Sequence, residues 1–334
     1  MEEQNSNVLE ARHLKKYFPV KTALGKAVHY VKAVDDVSLA LKKGETYGLV
    51  GETGCGKSTL GRTLLKLLEP TAGEVYMENR EIARLGPKEM RRMRQKMQMV
   101  FQDPYPSLNP RKKVGDILTE ALKIHGIGNG KSRVETAMSM LDKVGLRPQH
   151  YYRFPREFSG GQRQRVGLAR ALILKPGLIV CDEPVSALDV SVQSQIINLL
   201  LDLQEEGGVS YLFIAHDMSV VKYISSRIGV MYLGVLVEEA RTDDLFSLPA
   251  HPYTQALLSA VPSPNPRIKK ERILLTGEIP SPMNAPKGCV FHTRCPHCMP
   301  VCTRERPSQK TIMPDHRVAC HLYDPRNEGG NRVC

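Results

Sequence analysis

Hydrophobic positions change their period along this chain, and the changes mark out its elements. From 8 to about 43, apolar and polar residues alternate between turn-forming residues, the pattern of an antiparallel sheet edge. The run T-Y-G-L-V at 46–50 is a short apolar strand that feeds a glycine-rich turn. The next stretch, T-L-G-R-T-L-L-K-L-L at 59–68, has helical spacing and is stopped by Pro70. Between about 112 and 157 two segments, V-G-D-I-L-T-E-A-L and V-E-T-A-M-S-M-L-D-K-V, keep a helical period. Gly126, Gly128, Gly130 and a P-R-E turn interrupt them, which predicts an inserted helical lobe. Two more apolar strands come at 178–181 and 211–215, with a long helix from about 191 to 206 between them. Strands alternating with helices predict an α/β fold whose largely parallel sheet is covered on both faces. Beyond Pro249, prolines at 252, 262, 264, 266, 280, 282 and 286 exclude any long element, so a boundary is expected near Ala250.

Length and composition narrow the class. At 334 residues the chain exceeds one typical domain, and one large domain with an appendage is expected. No apolar run approaches the roughly 18–20 residues of a membrane span, and the N-terminus, M-E-E-Q-N-S-N, lacks the apolar core of a secretory signal. A cytosolic chain is expected, with any membrane spans supplied by another polypeptide. The net charge of +12 raises nucleic acid or anionic lipid as partners. Half of it lies beyond Val261, and a second cluster, Arg84, Lys88, Arg91, Arg92, Arg94 and Lys96, alternates with Met90, Met93 and Met97. That spacing reads as an amphipathic helix with a solvated basic face, so no nucleic-acid partner is expected.

The run G-E-T-G-C-G-K-S-T, comprising Gly51, Glu52, Thr53, Gly54, Cys55, Gly56, Lys57, Ser58 and Thr59, fits the phosphate-loop pattern G-x-x-x-x-G-K-[ST]. Its glycines permit a tight turn in which successive N–H groups point at a phosphate, and the helix after it adds its positive dipole end. Lys57 is expected to reach the β- and γ-phosphates, and Ser58 to bind Mg²⁺. Asp182 and Glu183 end the strand at 178–181, the edge where open α/β sheets bind ligands. Asp182 is expected to orient Mg²⁺, directly or through water, and Glu183 to act as general base on the attacking water.

Between these runs stands F-S-G-G-Q-R-Q-R at 158–165. A phosphate loop, then S-G-G-Q, then an apolar strand ending in Asp-Glu resembles the nucleotide-binding domain of an ABC transporter, over about 8–250. The resemblance implies a P-loop core sheet, an antiparallel β subdomain and a helical signature subdomain at about 102–160. It implies that Gln102, in V-F-Q-D-P, senses Mg²⁺ and the γ-phosphate. It further implies that Ser159, Gly160, Gly161 and Gln162 form the signature motif contacting ATP held by an opposing subunit. Asp189, in S-A-L-D, is then the D-loop acid and His216, in I-A-H-D, the switch histidine. An aromatic stacking on adenine is expected upstream; the spacing L-x-K-x-aromatic selects Phe18, with Tyr17 the runner-up. Hydrolysis by such a chain requires a dimer.

Further runs, Q-D-P-Y-P-S-L-N-P-R and H-P-Y-T-Q-A-L-L-S-A-V-P, with H-L-K-K-Y-F-P-V-K near the start, resemble the second ATPase subunit of dipeptide/oligopeptide importers. That likeness implies a peripheral subunit on the cytoplasmic face of the cell membrane. It would be dimeric with an identical or sister ATPase, bound to two permease subunits and served by an extracellular or periplasmic peptide-binding protein. Nickel and glutathione importers share much of the pattern. A soluble ABC-type ATPase acting on ribosomes or nucleic acid is the distant alternative, since such chains usually carry two sets of motifs.

Cysteines are unevenly spread. Cys289, Cys295, Cys298, Cys302 and Cys320 crowd the extension at 251–334, apart from Cys55, Cys181 and Cys334. In a reducing cytosol such crowding favours metal or cluster binding over disulfides. The importer resemblance implies a [4Fe–4S] site on Cys289, Cys295, Cys302 and Cys320. Cys298 departs from that pattern, makes C-P-H-C with Cys295, and admits a Zn²⁺ site; bare thiols are the third reading. With the domains divided at 250, ATP binding is expected largely to survive replacement of Cys302 or Cys298.

Overall fold

A computed structural model describes residues 7–21, 27–186, 188–262 and 271–325, so Cys334 lies outside the described residues. The strands are β1 (Asn7–Lys21), β2 (Ala27–Lys42), β3 (Thr46–Val50), β4 (Ala72–Met77), β5 (Arg80–Glu81) and β6 (Met97–Val100), then β7 (Leu178–Asp182), β8 (Ser210–Ile214), β9 (Arg227–Tyr232), β10 (Val235–Arg241), β11 (Lys310–Met313) and β12 (His316–Val318). The helices are α1 (Lys57–Leu64), α2 (Pro87–Lys96), α3 (Pro104–Ser107), α4 (Val114–Ile124) and α5 (Gly130–Lys143), then α6 (Gly160–Leu172), α7 (Val190–Gly207), α8 (Met218–Ile224), α9 (Thr242–Ser247) and α10 (Pro252–Ser259). The alternating N-terminal segment becomes β1 and β2, which join β4 and β5 in a sheet of order β2-β1-β4-β5. Glu78 and Asn79 turn β4 into β5 with both φ angles positive, as a two-residue hairpin needs.

The chain forms two compact units. The first comprises Met1–Leu9, Ala40–Thr46 and Tyr76–Ile214. Its strands β6, β7 and β8 run parallel, Met97 pairing Leu178 and Leu178 pairing Ser210. Every residue of β7 and β8 is buried, which is why both read as unbroken apolar runs rather than alternations. The basic amphipathic segment forms α2, with Met90 and Met93 buried and the arginines outward, but Met97 opens β6 instead of continuing the helix. The helical lobe is built from α4 and α5. Gly115 on α4 is required by packing, because a Cβ there would stand 2.3 Å from the Tyr151 ring.

The second unit comprises Glu10–Leu39, Tyr47–Val75 and Ala215–Cys334. Here β3 runs parallel to β9, β9 pairs β10 antiparallel, and β10 pairs β12, which pairs β11. The extension therefore adds two strands to a sheet that also carries β3. Its own core is small: Ala250, Val318 and Cys320, with Ile312 and Leu322 against them. Polar packing also contributes. The fully buried Glu238 of β10 accepts from the backbone N–H groups of Ala250 and His251 at 2.7 and 2.8 Å and lies 2.8 Å from Nε2 of the buried His316.

Candidate active site

In the second unit β3 delivers the chain into the phosphate loop. Gly51 and Gly56 hold φ of 149° and 106°, and a Cβ on either would meet a backbone carbonyl, of Met231 at 2.1 Å and of Ala33 at 2.0 Å. No larger residue fits there. Helix α1 starts at Lys57 with Gly56 as N-cap and no side-chain cap, so the loop runs straight into the positive end of the helix. The Lys57 ammonium is buried and donates to the carbonyls of Gly51 at 2.7 Å and Glu52 at 3.0 Å. It thus stands inside the loop where phosphates are expected. Burial raises the Cys55 thiol, against the pull of Lys57 beside it. Ser58 and Thr59 are half-buried, and Thr53 and Gly54 are exposed. His216, just beyond β8, is exposed, and its neighbour Ala215 donates to Leu49 of β3 at 3.2 Å.

The two aromatic candidates differ in what they touch. The Tyr17 hydroxyl donates to Asp35, and burial followed by that carboxylate raises its titration. Phe18 is half-buried, with the Lys16 ammonium 5.0 Å from its ring centroid.

In the first unit Asp182 is fully buried at the end of β7. Glu183 comes next in a left-handed conformation, φ 46°, with its N–H donating to Ile214 at 3.0 Å. Gln102 Nε2 donates to Glu183 Oε2 at 2.8 Å across 81 residues of sequence. Ser159 caps α6: its hydroxyl accepts from the Gln162 N–H at 3.3 Å, and the Gln162 side chain accepts from the Ser159 N–H at 3.1 Å. Ser159 and Gly160 are exposed at the start of a 13-residue helix. Gly161 packs so closely that a Cβ would stand 2.6 Å from Val192. Asp189 caps α7, accepting from the Val192 N–H at 3.0 Å and the Ser191 hydroxyl at 2.9 Å, and these bonds lower its titration.

The extension reaches back to the loop at 51–59. The Glu52 N–H donates to the Tyr253 hydroxyl at 2.8 Å, and Arg294 forks onto the Glu52 carboxylate at 2.8 and 3.1 Å. The H-P-Y run is visible in the sequence, but its spacing carries no sign of this reach.

Cys289, Cys302 and Cys320 are buried, with Cys295 and Cys298 partly so. The Cys289 N–H donates to the Cys302 carbonyl at 2.8 Å. Burial pushes the Cys289 thiol up to about 11 and Cys320 up to about 12, and Cys289, Cys295 and Cys302 each add to the rise at Cys320. Cys298 points its thiol toward the Met299 carbonyl at 3.8 Å. Among the described residues, no three His, Cys, Asp or Glu side chains are grouped to hold a metal ion.

Comparison with known proteins bears directly on this arrangement. The chain matches the family described as ABC transporter over residues 34–186, and that described as oligopeptide/dipeptide transporter, C-terminal region, over residues 237–302. It is 54% identical to the oligopeptide transport ATP-binding protein AppF of Bacillus subtilis, over 95% of this chain and 97% of that protein. The chain belongs to the ATP-binding subunits of peptide ABC transporters. The dipeptide transport ATP-binding protein DppF of Haemophilus influenzae is 50% identical over 96% of this chain and 98% of its own length. Among solved structures, the ATP-binding cassette MJ0796, a dimer in a post-hydrolysis state bound to ADP and Pi, is 30% identical with a TM-score of 0.63. It covers 70% of this chain and 98% of its own. This member of the ABC family is an ATPase with the family's α/β fold. No described helix is long and apolar enough to cross a membrane.

Proposed function

We propose that this subunit hydrolyses ATP to power import of di- or oligopeptides through a membrane permease. Lys57 and the loop N–H groups bind the phosphates, and Ser58, Gln102 and Asp182 serve Mg²⁺. Glu183 takes the proton of the attacking water. The observation that carries the assignment is the 2.8 Å bond from Gln102 to Glu183, which joins the Mg²⁺-sensing amide to the base and orients its carboxylate. Phe18 is the adenine platform, since Tyr17 is committed to Asp35. The signature residues Ser159, Gly160, Gly161 and Gln162, with Asp189 and His216, complete a site across a dimer with an identical or sister chain. Two permease subunits supply the membrane spans and hold the dimer at the cytoplasmic face. Reconstitution with the permease pair and its binding protein tests the cargo: ATP turnover should rise with added di- or oligopeptide. A rise with nickel or glutathione and none with peptide would transfer the machinery to that cargo.

The same reading gives the extension a [4Fe–4S] cluster on Cys289, Cys295, Cys302 and Cys320. Support comes from the crowding of these cysteines in one short stretch and from burial of Cys289, Cys302 and Cys320, although no three described side chains are grouped to hold a metal ion. Ligation by iron would hold as bound thiolates what burial disfavours, and would staple a segment with few apolar residues. Anaerobically purified protein should be brown with about four iron per chain, bleached by Cys302→Ser and unchanged by Cys298→Ser. Colourless protein with one zinc, lost on replacing Cys298, would overturn the assignment.

A further inference from the structure

Two arginines of the extension end on carboxylates beside the phosphate loop. Arg294, the residue before Cys295, is 8% exposed and makes a two-pronged ion pair with Glu52. That pair, more than any other contact, raises the guanidinium's titration and keeps it charged. Its guanidinium also stands 5.9 Å from the Tyr232 ring centroid. Tyr232 packs edge to face on Tyr253 and Phe291, which meet each other at a tilt, with centroids 4.8–5.4 Å apart, giving both Glu52 contacts a rigid backing. Arg306 in turn donates to the Asp35 carboxylate at 2.8 Å and to its carbonyl at 3.3 Å. Asp35 receives the Tyr17 hydroxyl, and its N–H donates to the Gly234 carbonyl at 2.8 Å. The Gly234 N–H donates at 2.8 Å to Cys55, inside the phosphate loop.

A carboxylate is an adverse neighbour for a triphosphate, because like charges at short range raise each other's energy wherever solvent screening is incomplete. Glu52 occupies the second position of the loop and is tolerable there only with its charge balanced. We propose that the extension positions the nucleotide site in cis, Arg294 neutralising Glu52 while Tyr253 and Arg306 fix the loop and the strand behind it. Arg294, Tyr253 and Arg306 are positioning residues, acting on ATP through Glu52, Cys55 and Tyr17. The assignment rests on the reading of residues 51–59 as the phosphate loop.

The test is titration of the full-length chain with a fluorescent ATP analogue and Mg²⁺, in Arg294→Ala, Arg294→Lys, Arg294→Ala with Glu52→Gln, and Lys57→Ala. Arg294→Ala should weaken binding about tenfold, more at low salt, because an unbalanced carboxylate is screened by ions. The lysine variant should recover part of the loss. The double variant should return to within about threefold of the wild type, since removing the second charge removes the repulsion. In the permease-reconstituted complex Arg294→Ala should raise KM for ATP and leave kcat within about twofold, as loss of uniform binding does. Wild-type affinity in Arg294→Ala, with Lys57→Ala impaired, would overturn the proposal and spare the loop. A defect that Glu52→Gln does not relieve would overturn charge balancing and leave Arg294 a scaffold of the extension. Wild-type affinity in Lys57→Ala would overturn the phosphate-loop reading and the proposal with it.

Discussion

Glu183 is one of few non-glycine residues held at positive φ, a conformation that costs energy and is retained where neighbours enforce it. The Ile214 carbonyl and the Gln102 amide are among those neighbours. Glu183→Gln keeps the shape and loses the base. ATP binding should persist while turnover in the reconstituted complex falls by about 10²–10⁴-fold; turnover at the wild-type rate would remove Glu183 from that role. Lys57→Ala should act on binding itself, because its ammonium fills the loop. At this scale the sequence was informative where a motif fixes a residue's neighbours along the chain, as for Lys57, whose ammonium bonds the carbonyls of Gly51 and Glu52. Partners supplied from far away were not legible. Glu52 and Arg294 are 242 residues apart, and nothing in either one's local pattern points to the other.

Elements were legible in proportion to how evenly they are buried. The runs β7 and β8 are apolar throughout and stand out at once. Strands β9 and β10 do not, because β10 carries Glu238 and Glu239 at completely buried positions, which breaks the hydrophobic pattern. Those carboxylates are stable inside only through distant partners: His316 and two backbone N–H groups for Glu238, Arg227 and Arg317 for Glu239. Helix ends carry predictions of their own. Ser159→Ala removes the hydroxyl half of the capping box on α6 and should cost about 1 kcal/mol in denaturant unfolding; no change in midpoint would show that Gln162 suffices. At α10 the cap is His251, whose Nδ1 accepts the Tyr253 N–H at 3.1 Å. Its ring packs on Phe291 with centroids 5.5 Å apart, and burial pushes it down to about 4 despite the opposing pull of Glu238. The unfolded chain therefore takes up a proton near the ordinary value of 6.5 that the folded chain refuses until about 4. Stability is lost as pH falls through that window, by at most about 1.4 kcal/mol per pH unit from this group. His251→Asn keeps an N-cap acceptor without the titration, so its melting temperature should fall less between pH 7 and pH 5; equal slopes would assign the acid sensitivity elsewhere.

For the whole molecule, the signature helix raises the question of what it binds. Exposed Gly160 presents the positive end of α6 to solvent, an arrangement suited to an anion. On the proposed function that anion is the γ-phosphate of ATP held by a second subunit; the 30% identical cassette MJ0796 is itself a dimer bound to ADP and Pi. On that proposal the chain would be complete only in pairs, with ATP as part of the interface. Hydrolysis would dissolve that interface, so the dimer should accumulate only where the base is missing. Glu183→Gln protein at micromolar concentration should be monomeric alone and shift toward twice the mass on adding ATP and Mg²⁺, read by light scattering. The shift should vanish when Lys57→Ala is added, because the γ-phosphate is then not held. Replacing Gly160 by Arg should also abolish it while nucleotide binding to each chain survives, since that side chain would occupy the partner's phosphate position. If neither this chain alone nor its mixture with the sister ATPase gains mass with nucleotide, the composite site is wrong and the exposed signature needs another ligand.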